Sequence, residues 1–153
     1  MKHIRNLIFM YMAGTMMLAS CAKNNPNPAN SNNTSPYMTA SLNGLAWTAK
    51  ADSGQLSGSD NATVFGDDGI STIYLKLGSL SAGTYTLTSG SQTSINYSPD
   101  NIGLFTSDSG SVVINSYSNN IMQGTFQGRL TNGSNTGYIY KFTNGKFIAK
   151  LQY

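Results

Sequence analysis

The dipeptide Asn43-Gly44 lies between two stretches in which apolar and polar residues alternate. Asparagine and glycine both tolerate the positive φ angles that a two-residue type I′ turn requires. Such a turn would place Leu42 opposite Leu45 and Ala40 opposite Trp47, so that the apolar residues of both strands point to one side. The sequence therefore predicts a β-hairpin at this point, with Trp47 in the core.

The remainder of the chain repeats this pattern of short alternating stretches separated by Gly, Asn, Asp, Ser or Pro. Turn residues at 107–110 and at Asn144-Gly145 predict two more hairpins, the second with Phe142 opposite Phe147. Alternation within the stretch 70–77 places Ile73, Leu75 and Leu77 on one face. Within 121–131, the core-facing residues are Met122, Phe126 and Leu130 together with Gly124 and Gly128, and the outward-facing residues are Gln123, Thr125, Gln127 and Arg129. Glycines on a core face indicate close approach of another element. The further predicted strands are 55–57, 62–65, 70–77, 84–88, 95–98, 102–106, 111–117, 121–131, 138–142 and 147–153.

Composition supports the same class of fold. The chain contains no glutamate and is rich in Ser, Thr, Asn, Gly and Tyr, whereas long amphipathic helices are usually built from Glu, Lys, Leu and Ala. Many short strands joined by tight turns are typical of a sandwich or barrel. We therefore expect an all-β domain, a single antiparallel β-sandwich or small β-barrel built mainly from hairpins, that follows a signal peptide and a flexible tether.

The first 20 residues have the layout of a secretory signal, with a basic start and an apolar run at 7–17. This run is too short to span a bilayer, which takes about 20 apolar residues. Leu18, Ala19 and Ser20 then precede Cys21, the single cysteine of the chain, and this stretch resembles the lipobox of bacterial lipoproteins. The resemblance implies that signal peptidase recognises 18–20 and that Cys21 carries the acyl chains. With one cysteine, a disulfide within the chain is impossible; a free structural cysteine is the alternative.

The predicted organisation is a lipoprotein signal peptide at 1–20, a lipidated Cys21 with a disordered tether at 21–36, and the β-domain at 37–153. The tether is rich in Asn, Pro and Ser and has no apolar periodicity. Several acyl chains would attach the protein stably to membrane lipid. Ala22 follows the cysteine, and no aspartate is present there to signal inner-membrane retention. We therefore expect a lipid anchor in the outer membrane.

Several chemistries are excluded or disfavoured by residue types. His3, the only histidine, lies in the signal segment, so the domain has no histidine for a catalytic triad or a zinc site. Residues 21–153 carry seven basic and six acidic side chains, a balance that does not indicate nucleic-acid binding. We expect no metal and no cofactor. The aspartates lie beside Gly, Ser or Asn in predicted loops, where turn chemistry explains them; calcium binding by Asp60, Asp67 and Asp68, or catalysis, is the alternative.

Three groups of residues resemble a family of small Bacteroidota lipoproteins. They are the stretch 42–47 (Leu-Asn-Gly-Leu-Ala-Trp), the stretch 83–87 (Gly-Thr-Tyr-Thr-Leu), and Gly124-Thr125-Phe126 followed by 143–147 (Thr-Asn-Gly-Lys-Phe). That family is a domain of unknown function, so the resemblance implies a fold and a host lineage but no catalytic residue. Some lipoproteins of this lineage carry acidic residues after the cysteine as a surface-export signal. This chain has none there, which favours the periplasmic side over the cell surface.

By elimination, we expect a non-enzymatic binding or interaction module of the cell envelope with a glycan or protein partner. Tyr74, Tyr97, Tyr117 and Tyr138 are candidate ligand-binding residues, although tyrosine is also a common strand residue. Two alternatives remain open. One is a hydrolase or lyase that uses a buried Asp with a raised pKa; the other is an assembly role in which an exposed strand edge, at 111–117 or in the C-terminal strand, pairs with a partner.

Overall fold

A computed structural model of the chain describes residues 35–100, 102–133 and 135–153. These residues form ten strands and no helix, which confirms the all-β prediction. In this described part, no segment could cross a bilayer as a helix. The predicted signal peptide, the lipobox 18–20, Cys21 and most of the tether lie outside the described residues. The strands are β1 (Tyr37–Leu42), β2 (Leu45–Thr48), β3 (Ala51–Leu56), β4 (Ala62–Asp67), β5 (Ser71–Leu77), β6 (Gly83–Thr88), β7 (Ser94–Pro99), β8 (Phe105–Ser118), β9 (Ile121–Asn132) and β10 (Asn135–Gln152).

The hairpin at Asn43-Gly44 is confirmed. Asn43 and Gly44 adopt φ angles of 50° and 87°, and β1 pairs with β2 in the predicted register, Ala40 with Trp47 and Leu42 with Leu45. Trp47 is buried, as predicted. Leu45 is not: 76% of its surface is exposed, because it lies beside the turn where no other strand covers it.

The ten strands form one sheet that closes into an uneven ring. Strand β9 pairs with β8 on one side and with β10 on the other. The four strands β3, β4, β5 and β7 pair in that order and complete the ring through two short seams. One seam is β7 with β8, at Asn96–Thr106 and Tyr97–Phe105; the other is β10 with β3, at Leu151–Gly54 and Gln152–Gln55. The second seam is parallel, whereas the other pairings are antiparallel.

Two predicted hairpins are wrong. The turn residues 107–110 lie inside β8, and Asn144-Gly145 lies inside β10, so both strands run on without reversing. The register of each strand against β9 shifts at these points, which identifies β-bulges. Phe142 and Phe147 therefore do not face each other; they pair with Gly128 and Gly124 of β9.

The interior of the ring is filled by apolar side chains from nearly every strand. The predicted core faces of β5 and β9 are confirmed, since Ile73, Leu75, Leu77, Met122, Phe126 and Leu130 are all buried. The predicted close approach at the β9 glycines is also confirmed: a Cβ on Gly124 would lie 2.8 Å from the Phe147 ring, and one on Gly128 would lie 3.1 Å from Ile95. The larger side chains of neighbouring strands thus occupy the space that glycine leaves.

Several strand ends differ from the predictions, and two of these differences have a clear cause. Strand β3 spans Ala51–Leu56, longer than the predicted 55–57, because it pairs along its whole length with β4. Strand β8 starts at Phe105, not at 102, and Ile102 and Leu104 are exposed in the preceding loop. These apolar residues resemble a strand in sequence, but they have no partner strand.

Candidate functional site

The outward side of β8, β9 and β10 carries a polar surface that we call the bulge face: residues 109–113 of β8, 125–129 of β9 and 141–146 of β10. Strand register arranges its side chains in three rows across the sheet. Ser109, Arg129 and Lys141 form the first row; Val113, Thr125 and Lys146 form the third. The middle row is Ser111, Gln127 and the bulge of β10. Because β9 rises about 3.4 Å per residue, the outer rows lie about 14 Å apart.

The bulge in β8 is centred on Asp108. Ser107 pairs with Leu130 and Ser109 with Arg129, so Asp108 is the extra residue between them. A bulge re-aims the side chain of the extra residue. Here the Asp108 carboxylate accepts a hydrogen bond from Arg129 and one at 3.5 Å from the Thr131 hydroxyl. The extra residue in β8 thus places the Asp108 carboxylate next to the Arg129 side chain of the bulge face.

The bulge in β10 lies opposite Gln127. Phe142 pairs with Gly128 and Gly145 with Phe126, which leaves Thr143 and Asn144 facing the single residue Gln127. Asn144 adopts a positive φ of 54°. Gly145 allows the close packing here, since a Cβ on it would lie 2.6 Å from the Phe126 ring. The middle row therefore contains two residues of β10 opposite one residue of β9.

Two grooves open on the bulge face and meet at Gln127. The larger, about 420 Å³, is lined by Ser111, Val113, Thr125, Phe126, Gln127, Asn144, Gly145 and Lys146. The smaller, about 210 Å³, is lined by Ser109, Gly110, Gln127, Gly128, Arg129, Lys141, Phe142 and Thr143. The larger groove lies at the bulge of β10 and has Lys146 at its outer end. The smaller groove lies next to the bulge of β8 and has Arg129 and Lys141 at its outer end. Together they make a track along β9.

Charge on this track is mostly positive. Arg129 and Lys141 are direct cross-strand partners, and Lys146 lies at the other end. Among the described residues, the one ion pair is Arg129 with Asp108. Lys141 and Lys146 are exposed and have no carboxylate partner in that part of the chain. Basic side chains, hydroxyls and amides on a grooved surface are suited to hold a polar ligand by hydrogen bonds and charge.

A second pair of grooves shares Gly78 and Gln92; the larger of the two lies beside β6, one of the two strands at the ends of the sheet path. One, about 410 Å³, is lined by Gly78, Thr84, Tyr85, Thr86, Ser91, Gln92 and Thr93; the other, about 250 Å³, by Ser57, Asn61, Ala62, Lys76, Leu77, Gly78 and Gln92. The edges expected for partner pairing are covered in large part. β8 pairs with both β6 and β9 along 109–114, whereas 116–118 pairs with β9 alone. β10 pairs with β9 on one side and with β1 and β3 on the other. Within the described part of the chain, β2 and β6 lie at the two ends of the sheet path.

The four candidate tyrosines do not lie on one face. Tyr97 is buried and packs against the rings of Tyr140 and Phe142, with centroids 4.8 and 5.4 Å away. Tyr74, on the neighbouring strand, points the other way, since Ile73 is the residue that pairs with Tyr97. Tyr74 and Tyr138 are exposed, while Tyr117 is partly buried against the core.

The aspartates of the β4–β5 turn are occupied by local hydrogen bonds. Asp68 accepts from the backbone N–H groups of Ile70 and Ser71 and from the Ser71 hydroxyl. Burial acts to raise the pKa of Asp68, but these bonds and nearby Lys50 outweigh it and hold the pKa below its usual value. Within residues 35–153, 101 and 134 excepted, no three His, Cys, Asp or Glu side chains form a group that could hold a metal ion.

Burial raises the pKa of Asp52 above its usual value. One of its carboxylate oxygens is buried and has no hydrogen-bond partner in the described part of the chain. Since burial disfavours the charged form, the ionised Asp52 carboxylate lowers the stability of the folded state at neutral pH. None of the four grooves above includes Asp52 in its lining, so this acid lies apart from them.

Sequence reasoning placed Gln123, Thr125, Gln127 and Arg129 on the outward side of β9, and the structure agrees. Sequence reasoning did not predict that Lys141, Lys146 and Asp108 would lie next to these β9 residues. Two turn-like stretches gave the wrong strand pairing there, so the residues that meet on the bulge face were assigned to separate hairpins. The unused signal was the concentration of basic residues after position 128.

Comparison with known proteins identifies one family. The family described as "Domain of unknown function (DUF6252)" matches residues 34–149, which include nearly all of the described strands. No match was found among curated proteins or among solved structures. The expected domain of unknown function is therefore confirmed.

Proposed function

Since the chain belongs to the DUF6252 family, for which no function is given, we propose a role from the site itself: a lipid-anchored envelope domain that binds a saccharide on the bulge face without catalysing a reaction. The observation that carries the proposal is the pair of grooves that meet at Gln127. Ligand sites are concave and contain a few well-placed polar groups. The two grooves supply both over one continuous stretch of β9.

The lining of the grooves supports a sugar-like ligand. Ser111, Thr125 and Thr143 offer hydroxyls that both donate and accept hydrogen bonds, and Gln127 and Asn144 offer amides that do the same. The Gln127 amide makes no side-chain hydrogen bond with another described residue, so it is available to a ligand. Sugars present closely spaced donors and acceptors, which this row of groups can match.

Binding is favoured over catalysis because the grooves lack a partner for general acid and base chemistry. Asp108, which precedes the groove-lining Ser109, is engaged with Arg129 and Thr131. A glycoside hydrolase needs a pair of carboxyl groups across the bond that it cleaves. The lining residues include none.

The anchor in this proposal rests on the first 21 residues. A basic start, an apolar run and Leu18-Ala19-Ser20 before Cys21 support cleavage at residue 21 and acylation of its thiol. The absence of an aspartate after the cysteine supports the outer membrane, and the absence of acidic residues there supports its periplasmic side. The polar stretch 22–36 would then separate the domain from the lipid surface.

Cys21→Ser is expected to move the protein from the membrane fraction to the soluble fraction. The serine hydroxyl cannot take the thioether-linked diacylglycerol, so the attachment to lipid is lost. Ultracentrifugation of cell lysates and mass spectrometry of the N-terminal peptide provide the measurement. Ala22→Ser, at the next residue, is the control that should remain in the membrane. Persistent membrane association of the Cys21→Ser protein after a high-salt wash would contradict the anchor.

Gln127→Ala is expected to weaken saccharide binding about tenfold, which is the loss of roughly one ligand hydrogen bond. Isothermal titration calorimetry of the full-length chain in detergent, against a panel of soluble neutral and acidic polysaccharides, provides the measurement. Gln123→Ala is the matched control, since Gln123 is a glutamine on the same side of the same strand whose amide donates to Ser116 outside the grooves. The proposal fails when no polysaccharide binds, or when both variants lose affinity equally.

A further inference from the structure

Charge is divided between the two parts of the ring. The strands β8, β9 and β10 carry Arg129, Lys141, Lys146 and Lys150 against the single acid Asp108. The described residues before β8 carry the reverse balance, five aspartates (Asp52, Asp60, Asp67, Asp68 and Asp100) against Lys50 and Lys76. The near-neutral total of the domain hides this separation. A strong asymmetry of charge in a domain indicates an oppositely charged partner.

The basic side chains project from one side of the sheet. Lys141, Lys146 and Lys150 are exposed on β10, and the side chain of Arg129 is 48% exposed on β9. Arg129 and Lys141 lie directly opposite each other, and like charges in such a cross-strand pair repel. Asp108 compensates only one of these two cations. An anion bound between them would therefore remove a repulsion that the free protein carries.

We propose that the ligand of the bulge face is an acidic polysaccharide, one whose sugars carry carboxylates. This inference rests on the proposed saccharide-binding function and specifies the class of its ligand. Lys146 lies at one end of the track, and Arg129 with Lys141 at the other, while hydroxyls and amides lie between them. A polymer with repeated carboxylates presents charges at intervals along a chain of hydroxyls. The arrangement of the track matches that alternation.

The grooves favour a polymer chain over a lipid surface. A bilayer is broad and flat, so it would contact the tips of the lysines and leave the polar groups between the bulges unfilled. A single extended chain can enter both grooves and reach Gln127 where they meet. Charge complementarity of this kind also steers association, and salt weakens it.

Polygalacturonate and its fully methyl-esterified form are suitable probes, since they share a backbone and differ in carboxylate charge. Isothermal titration calorimetry of the full-length chain in detergent should detect binding of polygalacturonate that weakens as salt is raised. The esterified polymer should bind at least about tenfold more weakly, the loss expected when two or more charge contacts are removed. Binding to phosphatidylglycerol vesicles is measured for the unchanged protein and for the variant in which the lysines are replaced. This measurement tests whether the ligand is a lipid surface.

Lys141→Gln with Lys146→Gln is expected to reduce polygalacturonate affinity about tenfold or more. Lys76→Gln is the control, since Lys76 lies on β5 and outside the bulge face. Equal binding of the two polymers would overturn the acidic ligand while leaving saccharide binding intact. Absence of binding to every polysaccharide would overturn the proposed function itself. Lysine-dependent binding to anionic vesicles without binding to polygalacturonate would overturn the polymer and identify a lipid surface.

Discussion

Gly110→Ala is expected to lower the free energy of unfolding by about 3 kcal/mol or more, from two costs of about 1–3 kcal/mol each. The first is conformational, since Gly110, two residues after the extra residue Asp108 of the β8 bulge, has a φ of 130°, which residues with a Cβ rarely adopt. The second is steric. A Cβ at this position would meet the Gln127 carbonyl oxygen and lie 2.5 Å from the Gly128 Cα, both backbone atoms that cannot rotate away.

Alanine substitutions at two other glycines distinguish the conformational cost from the steric cost. Gly44 has a φ of 87° with nothing within 4 Å of an added Cβ, so Gly44→Ala should cost about 1 kcal/mol for conformation alone. Gly133 has neither constraint, and Gly133→Ala should stay within about 0.5 kcal/mol. Urea denaturation followed by the fluorescence of Trp47, the only tryptophan, measures all three. A Gly110→Ala protein as stable as the Gly133→Ala protein would show that the backbone at Gly110 does not have this φ angle and close packing.

Trp47→Ala is expected to cost about 3–5 kcal/mol, the range for removing a buried aromatic side chain. The indole is 5% exposed, and its N–H donates to the Ser71 hydroxyl at 3.0 Å in the buried interior. Truncation would therefore leave both a cavity and a hydroxyl without its donor. Because Ser71 also donates to Asp68 of the β4–β5 turn, the indole joins the first hairpin to the opposite part of the ring.

Trp47→Phe should cost about 1–2 kcal/mol, because it keeps most of the ring volume and loses the N–H bond. Leu45→Ala is the control within the same strand: Leu45 is 76% exposed, and its loss should stay within about 0.5 kcal/mol. Circular dichroism during urea denaturation is the appropriate signal, since the tryptophan is absent from two of these proteins. Equal effects of Trp47→Ala and Leu45→Ala would contradict the burial of Trp47.

The dipeptide Asn-Gly, present at 43–44 and again at 144–145, shows how far local sequence determines this fold. Asn43 and Asn144 have nearly the same φ, 50° and 54°, and both precede glycine. At 43–44 the flanking strands pair with each other, whereas at 144–145 both flanks pair with β9. Turn chemistry predicted the backbone angle in both cases. Whether the dipeptide forms a hairpin or a bulge depends on the presence of a long partner strand, here β9. The local sequence pattern does not reveal that partner.

The candidate site was predictable only in part. Period-two alternation correctly placed Gln127 and Arg129 on the outward side of β9, because one buried face fixes the other. The neighbours of those residues depended on the two bulges. Asp108 reaches Arg129 only because the strand continues through a stretch that resembles a turn. The ring closure was also beyond local pattern, since it joins residues far apart in sequence.

The parallel seam between β3 and β10 has a consequence for the order in which the protein can fold. In this seam Gly54 pairs with Leu151, and in the pairing of β1 with β10 Met38 pairs with Phe147. The residues of both pairs lie far apart in the sequence. Bringing such distant segments together has an entropic cost that local hairpins avoid, and folds dominated by distant pairs form slowly. A chain that emerges from a ribosome or a translocation channel presents β1 and β3 long before β10. The ring therefore closes only after the last strand has emerged, and until then the first strands remain open to other partners, including chaperones.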